Sequence, residues 1–124
     1  MNLKSLSRQE LFNKAYLGMR SQNFVPSVSG GVYKYRNQNG TCCVIGHIIP
    51  DELYDVRFEM TILHKCGDNP VSDLFNKDDL DFLIALQTTH DKVFCYHENE
   101  SYTSEEMQQR LIEFAECWNL EIPE

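Results

Sequence analysis

Residues 32–49 read VYKYRNQNGTCCVIGHII, and this stretch decides the fold that the sequence predicts. Apolar and polar residues alternate over residues 32–36, which favours a strand, and the Asn-Gly pair at 39–40 is a strong signal for a hairpin turn. The return segment is ambiguous, because its β-branched residues favour a strand whereas its apolar run also fits a short buried helix that ends before Pro50. We therefore predict a hairpin over about residues 32–44, whose second strand runs into a helical turn.

Three amphipathic helices are predicted around this hairpin, over about residues 8–22, 77–90 and 104–118. Ser7 and Glu10 have the spacing of a capping box ahead of the first helix. Thr103 and Glu106 repeat that spacing ahead of the third. Because the apolar residues of each helix fall on one stripe, each helix has one face for a core. The sequence thus predicts an α+β fold, with a small antiparallel sheet packed by three main helices in a single globular domain over residues 1–124.

The composition excludes several classes of protein. Hydrophobic residues make up 42% of the 124 residues, which is enough for one core and argues against disorder. Eleven Lys and Arg stand against 19 Asp and Glu, giving a net charge of −8. Since the phosphate backbone of nucleic acid requires a basic face, free-standing nucleic-acid binding is not expected.

The cysteines and the apolar stretches indicate a cytoplasmic protein. There are five cysteines, an odd number without regular spacing, so a disulfide framework is not expected. We see no secretory signal at the start, and the longest apolar stretches are far too short to cross a membrane. A reducing compartment is the expected location.

Residues 31–54 contain a Tyr-Arg pair, a turn, a glycine and the sequence CVIGHIIPDELY at positions 43–54. This arrangement resembles a family of small uncharacterised proteins from bacteria and their phages, which share such a hairpin followed by C-A-I-G-x-L-I-P-D-E-x-Y. Downstream, Leu86-Gln87 and His90-Asp91 are similar to pairs on a later helix of that family. The resemblance implies a phage or bacterial accessory protein, and it carries no activity with it.

This chain departs from the family pattern at two places. Val44 stands where the relatives tend to have a smaller residue, and Tyr33 or Lys34 stands where they often have another cysteine.

Cys43 with His90 and Asp91 is the leading enzymatic hypothesis, with Gln87 beside them one turn earlier. A cysteine nucleophile needs a lowered pKa, which an imidazole or a helix N-terminus supplies, and an acid orients the imidazole. Gln87 and His90 lie on the apolar stripe of their helix, so they face inward and need hydrogen-bond partners. The alternative is that Cys43 is an ordinary buried cysteine. In that case Gln87 and His90 hold the helix to the main chain of the hairpin.

His47 is a second candidate partner for Cys43. Whether the two side chains can meet depends on whether residues 43–47 form a strand or a helix. In a strand the two residues lie about 13 Å apart, beyond hydrogen-bond reach, whereas in a helix they are neighbours one turn apart. A histidine that simply packs at the end of the hairpin fits both cases.

A zinc site is a further hypothesis. His64 and Cys66, together with Cys95 and His97, would supply two imidazoles and two thiolates, which suits tetrahedral zinc. Each pair has only one residue between its members, however, whereas structural zinc pairs usually have two to four. Two unrelated histidines and two small apolar cysteines are the alternative.

The remaining carboxylates point to binding rather than chemistry. Asp51 and Glu52 could be considered an acid–base pair, but adjacent carboxylates after a proline more often open a helical turn. The acidic surface can dock on a basic groove of another protein. No P-loop, dinucleotide fingerprint or serine nucleophile elbow is present, so no cofactor is predicted.

The sequence thus predicts a small acidic accessory protein that binds and modulates another protein with a basic surface. The first alternative is a cysteine-dependent hydrolase or amidotransferase-like enzyme, and the second is a zinc-stabilised interaction module.

Overall fold

The computed structural model of the chain describes residues 2–29, 32–63, 69–96 and 104–124. The α-helices are α1 (Arg8–Ser21), α2 (Val44–Ile48), α3 (Leu80–Tyr96) and α4 (Ser104–Cys117). Short 3-10 helices lie at Leu3–Ser5, Asp51–Leu53, Val56–Met60, Ser72–Leu74 and Lys77–Asp79. Two antiparallel strands of two residues each are β1 (Val28–Ser29) and β2 (Val32–Tyr33).

The predicted α+β fold is wrong, because the protein is mainly helical. Helices account for 61% of the described residues, and within those residues the only sheet is the two-residue pair of β1 and β2. The hairpin predicted over residues 32–44 is reduced to a single antiparallel bridge between Arg36 and Cys42. Val32 pairs upstream with Ser29 instead.

A glutamine side chain replaces the missing strand partner of Cys42. The Oε1 atom of Gln22, at the end of α1, accepts the Cys42 N–H at 3.0 Å, and its Nε2 atom donates to the Cys42 carbonyl oxygen at 2.8 Å. The main chain of Cys42 is thus satisfied without a sheet. The next residues, Val44 and Ile45, are fully buried. Tertiary burial therefore overrides the strand preference of these β-branched residues.

The three long helices lie near their predicted ranges. The capping box of α1 is confirmed, since Ser7 and Glu10 each accept a hydrogen bond from the other's N–H. α3 begins at Leu80, after a 3-10 turn, and continues to Tyr96 rather than ending near residue 90. The predicted cap at Thr103 lies outside the described residues.

The helices share one hydrophobic core. Contacts between aromatic rings join α1, α3 and the end of α4, and these rings belong to Phe12, Phe82, Phe114 and Trp118. α1 and α2 cross closely at Gly18, where a Cβ atom would overlap the imidazole of His47. Glycine permits this close approach. The crossing places α2 between α1 and α3, with its N-terminus at the candidate residue Cys43.

Candidate functional site

Cys43 is the N-cap residue of α2 and is 0% exposed. Its Sγ atom accepts a hydrogen bond from the N–H of Gly46 at 3.3 Å, so the thiol takes the place that a serine hydroxyl often has at a helix start. Burial raises the pKa of Cys43 to about 12, although the Gly46 N–H and the Gln87 side chain favour the thiolate. The thiol is therefore protonated at neutral pH, whereas a cysteine nucleophile needs a lowered pKa.

The side chain of Gln87 links α3 to α2. Its Oε1 atom accepts the N–H of Ile45 at 3.4 Å, and its Nε2 atom donates to Oδ1 of Asp91 at 3.2 Å. The Ile45 N–H belongs to the first turn of α2, where no intrahelical acceptor exists. Gln87 therefore satisfies one of the open donors at the start of α2.

His90 is 0% exposed and binds the main chain of the segment that precedes β1. Its Nε2 atom accepts the N–H of Ser27 at 3.1 Å, and its Nδ1 atom lies 2.8 Å from Oδ1 of Asp91. Because Nε2 must offer a lone pair to Ser27, the ring proton is on Nδ1 and the imidazole is neutral. The ring holds α3 to the segment that precedes β1.

Ser27, His90 and Asp91 have the composition of a serine-hydrolase triad without its geometry. In such a triad the imidazole accepts the hydroxyl proton. Here His90 accepts the main-chain N–H of Ser27, while the Ser27 hydroxyl donates to the Thr41 carbonyl oxygen at 3.3 Å. Ser27 is also 0% exposed. The arrangement fixes loops in place, and it offers no nucleophile to a substrate.

The sequence predicts Gln87 and His90 on the inward face of a helix, where the structure shows them. It did not identify Ser27 or Ile45 as their partners. Both partners act through the main-chain N–H, which every residue except proline carries, so no residue type signals them.

His47 forms its hydrogen bond with the end of α1. Its Nε2 atom lies 2.8 Å from Oε1 of Gln22. Since an amide oxygen only accepts, Nε2 carries the proton. Burial lowers the pKa of His47 to about 4, and the positive charge of Arg36 acts in the same direction. His47 is thus neutral at pH 7 and serves the contact between α1 and α2.

We expect the free energy of unfolding to fall as the pH is lowered from about 6.5 to about 4. In this window the unfolded chain binds a proton at His47, whose ordinary pKa is 6.5, while the folded chain binds it only near pH 4. Stability therefore rises with pH across the window. The full lowering of the His47 pKa, from 6.5 to about 4, corresponds to about 3 kcal/mol in the free energy of unfolding. Because the ring is partly exposed, we expect about 1–2 kcal/mol.

Urea denaturation at a series of pH values measures this effect. The control is His47→Gln, which removes the titrating group, and its stability should depend less on pH across the same window. Equal pH dependence in the two proteins would show that His47 does not cause it.

Asp51 and Glu52 open the 3-10 turn Asp51–Leu53, and both are exposed. Asp51 forms an ion pair with Arg36 at 2.7 Å. The Arg36 guanidinium also donates to the Ile49 carbonyl oxygen at 2.8 Å and lies 4.4 Å from the centre of the Tyr54 ring. Asp51 thus helps to hold the turn after α2, and these contacts give it no acid–base partner.

Glu59 completes this group of contacts and was not identified from the sequence. Its carboxylate accepts the main-chain N–H of Tyr35 at 2.9 Å and of Arg36 at 3.0 Å, and the Tyr54 hydroxyl at 2.5 Å. Partial burial and the Glu59 carboxylate raise the pKa of Tyr54 to about 12. Glu59 lies in a segment whose pattern fits both strand and helix. The sequence therefore could not predict which way the Glu59 side chain points.

The zinc hypothesis concerns residues that the structure does not cover. His64, Cys66 and His97 lie outside the described residues, as does the side chain of Cys95. Within the described part of the chain, no group of three or more His, Cys, Asp or Glu side chains could hold a metal ion. Metal analysis of protein purified without chelator tests the hypothesis, and a zinc content near zero would discard it.

None of the helices in the described ranges combines the length and the apolar character that a membrane span requires. No protein-family model, curated protein or solved structure matches the chain.

Proposed function

We propose that this protein is a non-enzymatic accessory protein that binds another protein with a basic surface through its exposed carboxylates. The main support for this proposal is the uneven distribution of charged residues along the chain. Residues 104–124 contain six glutamates and a single basic residue, Arg110, whereas residues 1–23 contain four basic residues and one glutamate. On α4 the exposed carboxylates are those of Glu105, Glu113 and Glu116. An acidic face of this kind attracts a basic surface and speeds its association.

A cysteine-dependent hydrolase or amidotransferase-like enzyme has less support. A nucleophilic cysteine must reach its substrate and lose its proton. Cys43 and His90 are both 0% exposed, and burial raises the pKa of Cys43 to about 12. The hydrogen bonds of Gln87 and His90 to the main chain give these residues a structural role instead.

The bacterial cytoplasm, or the cytoplasm of the host for a phage protein, is the proposed location. Cys42, Cys43 and Cys117 are free thiols in the structure. Free cysteines suit a reducing compartment, in which disulfides are rare.

Capture from a bacterial lysate, followed by binding of the purified partner, tests the proposal. We expect a basic partner whose affinity falls with added salt, because screening weakens contacts between exposed charges. The double variant Glu113→Gln/Glu116→Gln should weaken binding roughly threefold to tenfold.

The matched control is Asp73→Asn/Asp78→Asn, which makes the same change in net charge at exposed positions outside α4. This control should bind nearly as tightly as the wild type. The absence of any salt-sensitive partner, or an equal loss in the two double variants, would contradict a docking face on α4.

A further inference from the structure

The turn between Arg36 and Cys42 contains an exposed Asn-Gly pair. Asn39 is the only one of the nine asparagines of the chain that precedes a glycine. Asn39 and Gly40 are both exposed, and among the described residues a Cβ atom at Gly40 would meet nothing within 4 Å. The main chain at Gly40 is therefore open to solvent and to the side chain of Asn39.

The side chain of Asn39 folds back over its own main chain. Its Oδ1 atom accepts the N–H of Thr41 at 3.0 Å and the hydroxyl of Thr41 at 2.7 Å. The bond from the N–H makes an Asx turn, which is a local ring between an asparagine side chain and the main chain two residues later. This ring contains both the carboxamide carbon of Asn39 and the nitrogen of Gly40. The two atoms are thus held in one small turn.

The bonds from Thr41 also favour attack on the carboxamide carbon. Donors aimed at a carbonyl oxygen stabilise the negative charge that develops there when a nucleophile adds to the carbon. The nucleophile within reach is the nitrogen of Gly40, once its proton is lost. That N–H donates to the Asn37 carbonyl oxygen at 3.1 Å. Because the bond lies in an exposed turn, it opens to solvent at low cost, and base can then remove the proton.

We propose that Asn39 is a site of spontaneous modification, at which the chain forms a succinimide with Gly40 and then an isoaspartate. The Gly40 nitrogen bonds to the carboxamide carbon, the bond from that carbon to Nδ2 breaks, and Nδ2 takes up a proton and leaves as ammonia. Water then opens the five-membered ring at either carbonyl carbon, which yields aspartate or isoaspartate at residue 39. Water is the only reactant consumed.

Isoaspartate changes this turn more than aspartate does. In isoaspartate the main chain passes through Cβ and Cγ, which adds one carbon to the backbone. The turn is closed by the N–H of Asn37, which donates to the Thr41 carbonyl oxygen at 2.8 Å, and by the bridge between Arg36 and Cys42. An added carbon between these pairs disturbs their register and loosens the segment that leads into α2. This effect is separate from the acidic face of α4 and does not depend on it.

Incubation of the protein in mildly alkaline buffer, followed by peptide mapping with mass spectrometry, tests the proposal. The modified peptide gains the mass difference between an amide and an acid, and fragmentation distinguishes isoaspartate from aspartate. The internal reference is Asn119, which is exposed but precedes Leu120. We expect Asn39 to lose its amide at least roughly tenfold faster than Asn119, with isoaspartate among the products.

Three variants separate the parts of the reaction. Gly40→Ala places a Cβ atom beside the nucleophile and should slow the loss of the amide at least roughly tenfold. Thr41→Val removes the hydroxyl donor but keeps the N–H, and it should slow the loss roughly threefold. Thr41→Ser keeps the hydroxyl and should react like the wild type. The proposal is overturned if Asn39 reacts no faster than Asn119, or if Thr41→Val reacts as fast as the wild type.

The effect on the turn has its own control. Asn39→Asp carries the charge of the modified protein on an unchanged backbone. The incubated protein should therefore unfold at a lower urea concentration than Asn39→Asp. Equal midpoints for the two proteins would contradict the loosening of the segment that leads into α2.

Discussion

Replacing Gly46 with alanine should lower the free energy of unfolding by about 3 kcal/mol. A Cβ atom at this position would overlap the carbonyl oxygen of Tyr35. A side chain could rotate away, but a main-chain oxygen moves only when the main chain around it moves. That oxygen also accepts the N–H of Cys43 at 3.2 Å, so a shift would weaken the start of α2 as well. Chemical denaturation of the variant and the wild type measures the loss.

Gly40→Ala is the matched control for this prediction. Gly40 has a φ of +92°, and a Cβ atom there would have nothing within 4 Å. Its replacement therefore adds only backbone strain, of about 1 kcal/mol. Stability of Gly46→Ala equal to or higher than that of Gly40→Ala would show that the close approach of α2 to Tyr35 is not needed.

Replacing His90 with alanine should lower the free energy of unfolding by about 3 kcal/mol. The change leaves the buried N–H of Ser27 without its acceptor and opens a cavity beneath α3. His90→Leu separates these two effects, because leucine fills most of the volume but accepts no hydrogen bond. It should therefore recover only part of the loss.

The control for His90 is Thr88→Ala on the same helix. Thr88 is exposed, and its hydroxyl bonds to the Ile84 carbonyl oxygen within α3. Its replacement should change stability by less than about 0.5 kcal/mol. An unchanged melting temperature for His90→Ala would contradict the role of the imidazole in holding α3 to the segment before β1.

The helices could be predicted where local sequence controls them. The start of α1 follows from the reciprocal bonds of Ser7 and Glu10, which are only three residues apart in the chain and need no tertiary information. The apolar stripe of α4 likewise predicts a helix whose inner residues, such as Met107 and Leu111, are fully buried. In both helices the spacing of apolar residues and the final packing agree.

The fold class could not be predicted, because long-range contacts decide the segment after the Asn-Gly turn. Gln22 lies 20 residues before Cys42, and nothing local shows that its carboxamide will take the place of a strand. The packing of this segment against α1 and α3 then overrides the strand preference of its β-branched residues. The same limit applies to His90, whose partner Ser27 is 63 residues away.

Several residues between positions 35 and 54 hold this structure together. Gly46 permits the close approach to Tyr35, and Cys43 caps α2. Arg36 joins Asp51 and the Tyr54 ring. A motif of this kind specifies packing, and it therefore predicts a fold more directly than a reaction.

Site-resolved labelling of the native protein with iodoacetamide at neutral pH tests most directly whether Cys43 is a buried structural residue. Cys117, the exposed last residue of α4, serves as the internal reference. A pKa of about 12 leaves Cys43 with roughly a thousandth of the thiolate of an ordinary exposed cysteine, and burial restricts access further.

We predict that Cys117 reacts at least about a thousandfold faster than Cys43 in the folded protein. The two should react at similar rates once the chain is unfolded in urea. Modification of Cys43 as fast as Cys117 in the folded protein would contradict a buried structural thiol and would favour the enzymatic alternative.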